Sequence, residues 1–218
     1  MLRADLHLHS SYSDDSTSSP EQIVDRCLEI GINCLAVTDH GTTAGAVRLR
    51  EIAPFPVIIG EEVSTTSGDM IGYFLTHDIP NNISALEAAR QIKDQGGIVC
   101  IPHPFTRFRP SAMMSDNLAI LLPYIEIIEI FNARSHFLSD GEQAKSFAQE
   151  HGLLVSAGSD AHSPTEIGNA YIEMPEFSDQ DGFRQALSQG KIAGHWASPF
   201  VHFNSTKARV KKKFIPGR

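Results

Sequence analysis

Short apolar runs alternate with capped, amphipathic stretches along almost the whole of this 218-residue chain, and that alternation narrows the folds open to it. Strand-sized and helix-sized periods joined by brief connections specify β-α units and hence a parallel sheet. The strand-like runs are Leu2 to Leu8, 34–37, 56–60, 98–101, 125–131 and 153–157, and one more strand-helix pair covers about 170–189. Residues 63–66 and 70–75 read as a hairpin around Ser67-Gly68-Asp69. Ser19-Pro20-Glu21-Gln22 forms a capping box with proline at the first helical position, and Gly31 stops that helix. Further helices are expected over 43–52, from Ser84 with Glu87 to Gly96-Gly97, and from about Gly141 to His151.

Each unit carries a polar or ionisable residue at the same point, the C-terminal end of its strand: His9, His40, Glu62, His103, Asn132 and Asp160. In a closed β/α barrel those ends converge on one mouth, whereas an open doubly wound sheet gathers them only near a switch point. Contributions from so many strands favour a barrel of about seven strands. The bounds agree with one soluble domain: 41% hydrophobic and 20% charged residues, with a formal charge of -8 that argues against broad nucleic-acid attraction. Cys27, Cys34 and Cys100 lie in apolar stretches without a C-x-x-C and read as reduced core thiols. No signal region opens the chain and no apolar run reaches membrane length, so a cytoplasmic protein without a membrane partner is expected.

In Asp5-Leu6-His7-Leu8-His9-Ser10, two histidines at i and i+2 of an extended segment point the same way, within reach of one metal ion. Leu2, Ala4, Leu6 and Leu8 supply an apolar opposite face. Buried neutral imidazoles side by side are costly unless paired or ligated. Together with Thr38-Asp39-His40, Gly60-Glu61-Glu62, Pro102-His103-Pro104 and Gly158-Ser159-Asp160-Ala161-His162, this segment resembles the ordered motifs of the PHP (polymerase and histidinol phosphatase) family of metal-dependent phosphoesterases.

The resemblance runs from about residue 3 to 195. It implies an α/β fold, a distorted TIM-like (β/α)7 barrel in a single domain, with two or three divalent ions at its mouth. It assigns His7, His9, Glu62 and Asp160 to one ion, Glu62 and His103 to a second, and Asp14, His40 and His162 to a third, with Asp15 and Glu61 as rivals of Asp14 and Glu62. Glu62, His103, Asp160 and His162 are the candidate catalytic residues among these. Mixed imidazole and carboxylate donors without thiolate suit Zn, Mn or Fe. Many relatives supply another histidine to the second ion, where this chain has Asp69; it reads equally as a ligand or as a turn residue. His77 ranks below it.

The implied chemistry is hydrolysis of a small phosphorylated substrate, a nucleotide or metabolite phosphate ester, with the ions lowering the pKa of a water towards neutrality. Arg107, Arg134 and Asn132 are the candidate substrate contacts; Arg109, His136 and His195 also lie near the mouth in sequence. Phe105 and Phe108 read as loop packing or a wall for a leaving group. The barrel is expected over 1–205, with a basic tail over 206–218. Alternatives are trimming of oligonucleotide ends and a non-catalytic module. The acidic balance argues against long nucleic acid as a partner, and the intact ligand set argues against the non-catalytic reading.

Overall fold

Seven strands form the wall of a nearly closed barrel in this computed structural model, which describes residues 1–106, 109–135 and 138–198. The chain runs through β1 (Leu2–Leu8), α1 (Pro20–Ile30), β2 (Cys34–Val37), α2 (Ala44–Ile52), β3 (Val57–Thr65), β4 (Gly68–Tyr73), α3 (Ala85–Asp94) and β5 (Ile98–Ile101). It continues with α4 (Ser115–Leu121), β6 (Ile125–Asn132), α5 (Leu138–His151), β7 (Leu154–Gly158), β8 (Ala170–Met174), α6 (Gln180–Ser188) and β9 (Lys191–Gly194). The sheet order is β7-β6-β5-β4-β3-β2-β1-β8-β9. The ring closes where β7 meets β1: the Asp160 N–H donates to His7 O at 2.7 Å and the His9 N–H to Ala161 O at 2.9 Å. β1 is shared, because its first residues pair antiparallel with β8 (Ala4 opposite Ile172).

Local chemistry explains the elements. Ser19 Oγ accepts from the Gln22 N–H while the Gln22 side chain accepts from the Ser19 N–H, a complete capping box, and Gly31 at φ 75° ends α1. At α3 only half of a capping box forms: Ser84 caps the Glu87 N–H, but Glu87 accepts from Gln91 Nε2 at 2.8 Å rather than from the Ser84 N–H. The barrel interior is filled by Leu6, Ala36, Ile58, Ile71, Tyr73 and Ile127, and a second core lies between the strands and the helices. The three cysteines are free and buried, and burial pushes each thiol up to about 12. Among the described residues no helix is long and apolar enough to cross a membrane.

Three sequence expectations are corrected. The sheet is mixed rather than parallel: beyond the expected β3–β4 hairpin, β4 also runs against β5, and β8 runs against β1 and β9. The runs at 56–60 and 63–66 are one continuous strand, β3, so Glu62 sits within it. Strict alternation along β1 breaks: Leu2, Ala4 and Leu6 join the barrel interior and Leu8 the outer core, across a register irregularity between Asp5 and Leu8. α4 and β9 carry no strong sequence signal, being seven and four residues long.

Candidate metal centre

Reversal of β4 matters for function. Strands β1, β2, β3, β5, β6 and β7 deliver their C-terminal ends to the mouth, and β4 delivers its start, Gly68-Asp69. Asp69 pairs with Ser64 and so shares the inner face with Glu62, two residues along β3. His77 lies past the other end of β4, exposed beside Thr76 and Gln95.

At the mouth, Nε2 of His7 lies 3.2 Å from Glu62 Oε2 and 3.6 Å from Asp160 Oδ1, and Nε2 of His9 lies 3.3 Å from each of the same oxygens. Among the described residues neither His9 Nε2 nor Asp160 Oδ1 has a hydrogen-bond partner, although both are buried. Glu62 spans the centre: its Oε1 is 2.9 Å from His103 Nε2, and its Oε2 is 3.6 Å from His40 Nε2. Beyond His9 stands a further group, in which Asp15 Oδ2 is 3.2 Å from His162 Nε2 and 3.7 Å from His40 Nε2. Among the described residues three overlapping sets could each hold an ion: His7, His9 and Asp160; His7, Glu62 and His103; and His9, Asp15, His40 and His162.

The structure therefore brings together His7, His9, His40, Glu62, His103, Asp160 and His162. Asp14 is exposed, and its neighbour Asp15 faces the cluster in its place, a one-residue difference inside an irregular loop. Glu61 points away and accepts from the Ile79 N–H at 2.9 Å; burial, with Asp78 nearby, pushes its carboxyl up to about 7. Asn132 donates to Glu129 Oε2 at 3.0 Å and Asp160 Oδ2 at 3.3 Å, bracing the carboxylates. Arg134 is buried against His162 and lies 3.5 Å from Glu166. Phe105 packs on Phe147 in the outer core, and His195 is exposed. Arg107, Phe108, His136 and the tail at 206–218 lie outside the described residues.

Electrostatics follow from the crowding. Burial pushes Glu62 and Asp160 up, but His7 and His40 around Glu62, and Arg109 and His7 around Asp160, hold both well below the usual carboxylate range. Burial lowers His9, yet Asp160 and Glu62 raise it to about 9; burial and the neighbouring His9 bring His162 down to about 4. Burial and Glu62 raise Asp69. Two site residues adopt left-handed backbone, His103 at φ 32° and Asp160 at φ 52°, a conformation that non-glycine residues hold only where the surroundings enforce it.

Several supporting residues escape sequence reasoning. Glu129 Oε1 lies 3.1 Å from His7 Nδ1, and its Oε2 accepts from the His103 N–H at 2.8 Å. One carboxylate thus fixes two candidate ligands, and by accepting from the Nδ1–H of His7 it turns the Nε2 lone pair towards the cluster. The signal available was a glutamate on the inner face of an apolar strand, in Ile127-Ile128-Glu129-Ile130. Asp39 accepts from the Ser10 N–H at 2.6 Å and from Ser13 Oγ at 3.0 Å, folding the loop that carries Asp15. Asp5 accepts from the Ser159 N–H at 2.9 Å and ties β1 to the Asp160 turn; burial pushes it up to about 6.

Comparison with known proteins agrees with this geometry. Residues 5–101 match the PHP domain model and residues 140–192 the PHP-associated model. An uncharacterised protein of Methanocaldococcus jannaschii is 32% identical over 180 residues, 81% of this chain and 72% of the relative. The error-prone DNA polymerase of Cutibacterium acnes is 48% identical over 65 residues, 28% of this chain but only 6% of the polymerase. A two-domain protein of Bacteroides vulgatus containing a predicted PHP-like metal-dependent phosphoesterase superposes with a TM-score of 0.73 at 20% identity, covering 89% of this chain and 65% of that one. With its ordered motifs gathered at one barrel mouth, the chain belongs to the PHP family.

Proposed function

We propose that the protein is a metal-dependent phosphoesterase acting on a small phosphorylated substrate, a nucleotide or metabolite phosphate ester. The observation that carries this reading is the pair His7 Nε2 and His9 Nε2, each of which lies 3.2 to 3.6 Å from both Glu62 Oε2 and Asp160 Oδ1. Ligands bonded at about 2.1 Å to a tetrahedral ion stand about 3.4 Å apart. The donor set fits an ion such as Zn, Mn or Fe.

His7, His9, Glu62 and Asp160 would hold one ion. Glu62 and His103, with Asp69 on the same face, would hold a second; Asp15, His40 and His162 would hold a third. Bound divalent ions supply positive charge for phosphoryl oxygens and acidify water. The chain's own part is to orient and to bind. Glu129 fixes the His7 ring and the His103 backbone, and Asn132 holds Glu129 and Asp160. Arg134, and Arg107 on the sequence reading, add cationic contacts for a phosphoryl group. A cavity of about 280 Å³ beside His103 and Asn132, lined in part by Phe131, Lys145 and Trp196, suits a compact leaving group rather than a polymer.

The test is phosphate release from a panel of mononucleotides, nucleotide bisphosphates, sugar phosphates and aryl phosphate esters, using protein stripped and reloaded with Mn, Zn or Fe. Metal-dependent release that disappears in His9→Ala is expected; no release from any ester by metal-loaded protein refutes it. A second reading, removal of residues from oligonucleotide ends, is favoured by the local similarity to an error-prone DNA polymerase. Short labelled oligonucleotides in the same panel separate the two.

A further inference from the structure

Arg109 reaches the ligand cluster from the loop after β5, and its contacts divide the two oxygens of Asp160 between different jobs. Oδ2 accepts from Arg109 Nη1 at 2.8 Å and from Asn132 Nδ2 at 3.3 Å. Oδ1, without a hydrogen bond among the described residues, faces His9 Nε2 at 3.3 Å and His7 Nε2 at 3.6 Å. The guanidinium is held in place from its own side too. Its Nε lies 3.4 Å from Ser111 Oγ, the turn closes through the Ala112 N–H to Arg109 O at 3.0 Å, and the Asp69 N–H ties the turn to β4 through Ser111 O at 2.7 Å. Burial opposes the charge on Arg109, but Asp160, then Glu62 and Asp69, keep it firmly protonated.

We propose that Arg109 is a fixed counter-cation of the metal centre, restricting Asp160 to ligation through Oδ1 and lowering the affinity for the ion held there with His7 and His9. This rests on reading the cluster as a metal centre. Without an ion, the guanidinium compensates buried carboxylates that would otherwise repel one another. With an ion present, the same charge opposes it across a few ångströms of weakly screening interior. The two effects have opposite signs, which a residue that merely packs the loop would not produce.

The experiment uses the full chain. Zn2+ affinity is measured by competition with a chromogenic chelator, metal content by mass spectrometry, and thermal unfolding in excess EDTA. Arg109→Gln keeps a hydrogen-bond donor and removes the charge; Arg109→Lys keeps the charge. Arg109→Gln is expected to bind Zn2+ roughly tenfold more tightly or better while unfolding at a lower temperature in EDTA. Arg109→Lys stays near the wild type on both. Equal or weaker Zn2+ binding by Arg109→Gln overturns the proposal and leaves Arg109 a scaffold residue. If Arg109→Gln does not fold, Arg109→Met, of similar length and uncharged, carries the same expectation and the same refutation. Absence of bound Zn2+ in the wild type instead removes the metal-centre reading beneath it.

Discussion

Gly158 is where the barrel closes, and replacing it with alanine tests that closure directly. A Cβ at this position would stand 2.2 Å from His7 Cβ, 2.7 Å from His7 N and 2.9 Å from His7 Cα. Carbon atoms settle at about 3.5–4.0 Å, so β7 and β1 must part by more than about 1 Å. That separation stretches the bond from the Asp160 N–H to His7 O, now 2.7 Å, beyond hydrogen-bonding range. Overpacking costs about 1–3 kcal/mol and the lost bond about 1 kcal/mol. For a domain of this size the total lowers Tm by roughly 5–15 °C. Because Gly158 has no positive φ, the effect is steric rather than conformational. Gly152→Ala is the control: its φ is 64° with open space around it, so only backbone strain is felt. The assay is thermal unfolding by circular dichroism in EDTA, with metal content measured on the reloaded protein. Since His7 and Asp160 face each other across this seam, Gly158→Ala should also lose metal, and Gly152→Ala should not. A Tm within about 2 °C of the wild type, with full metal content, would refute closure at this seam.

Other perturbations follow from the same geometry. Glu62→Gln removes the group between His7, His9 and His103 and is expected to abolish metal retention and activity together; unchanged metal content in mass spectrometry rules out the bridging role. Glu129→Gln should lower metal affinity about 10–100-fold without unfolding the chain, because His7 loses its oriented partner; chelator competition reads this, and wild-type affinity counts against it. Glu126 is 2.5 Å from Lys93 Nζ and 2.7 Å from Arg184 Nε, and these bonds outweigh partial burial to lower its pKa. A lowered carboxyl contributes stability above its unfolded pKa and loses it as pH falls through the folded value. The advantage of wild type over Glu126→Gln is therefore expected to be roughly 0.5–1 kcal/mol at pH 7 and to fade below about pH 4.5, read by urea unfolding at both pH values; a pH-independent difference contradicts the pairing. Cys27, Cys34 and Cys100 should resist alkylation until the protein is unfolded, since burial keeps the thiolate scarce; rapid labelling of native protein would show one of them accessible.

What a linear reading recovers here is whatever depends on neighbours in sequence. The α1 capping box and the Gly31 stop are local hydrogen bonds, so Ser19, Gln22 and Gly31 announce them. His7, His9, His40, His103, Asp160 and His162 are legible because each lies at or just past the C-terminal end of a strand within an ordered motif, and strand ends converge in a barrel. The loop from Ser11 to Ser18 has no period, so whether Asp14 or Asp15 turns inward depends on Asp39, which grips Ser10 and Ser13 from a distant part of the chain. The hairpin around Ser67-Gly68-Asp69 already sets Asp69 and His77 at opposite ends of β4, whereas its second, antiparallel partner β5 depends on which neighbour its hydrogen bonds find. Glu129 and Arg109 look like an ordinary strand glutamate and loop arginine until the strands close. Their roles rest on contacts with His7 and Asp160, 122 and 51 residues away in the chain. The sequence by itself determined the β-α rhythm and the donor types, because these follow from periodicity and side-chain chemistry. Only the tertiary structure decided which donors meet and what braces them, because those distances are set by barrel closure across residues far apart in the chain.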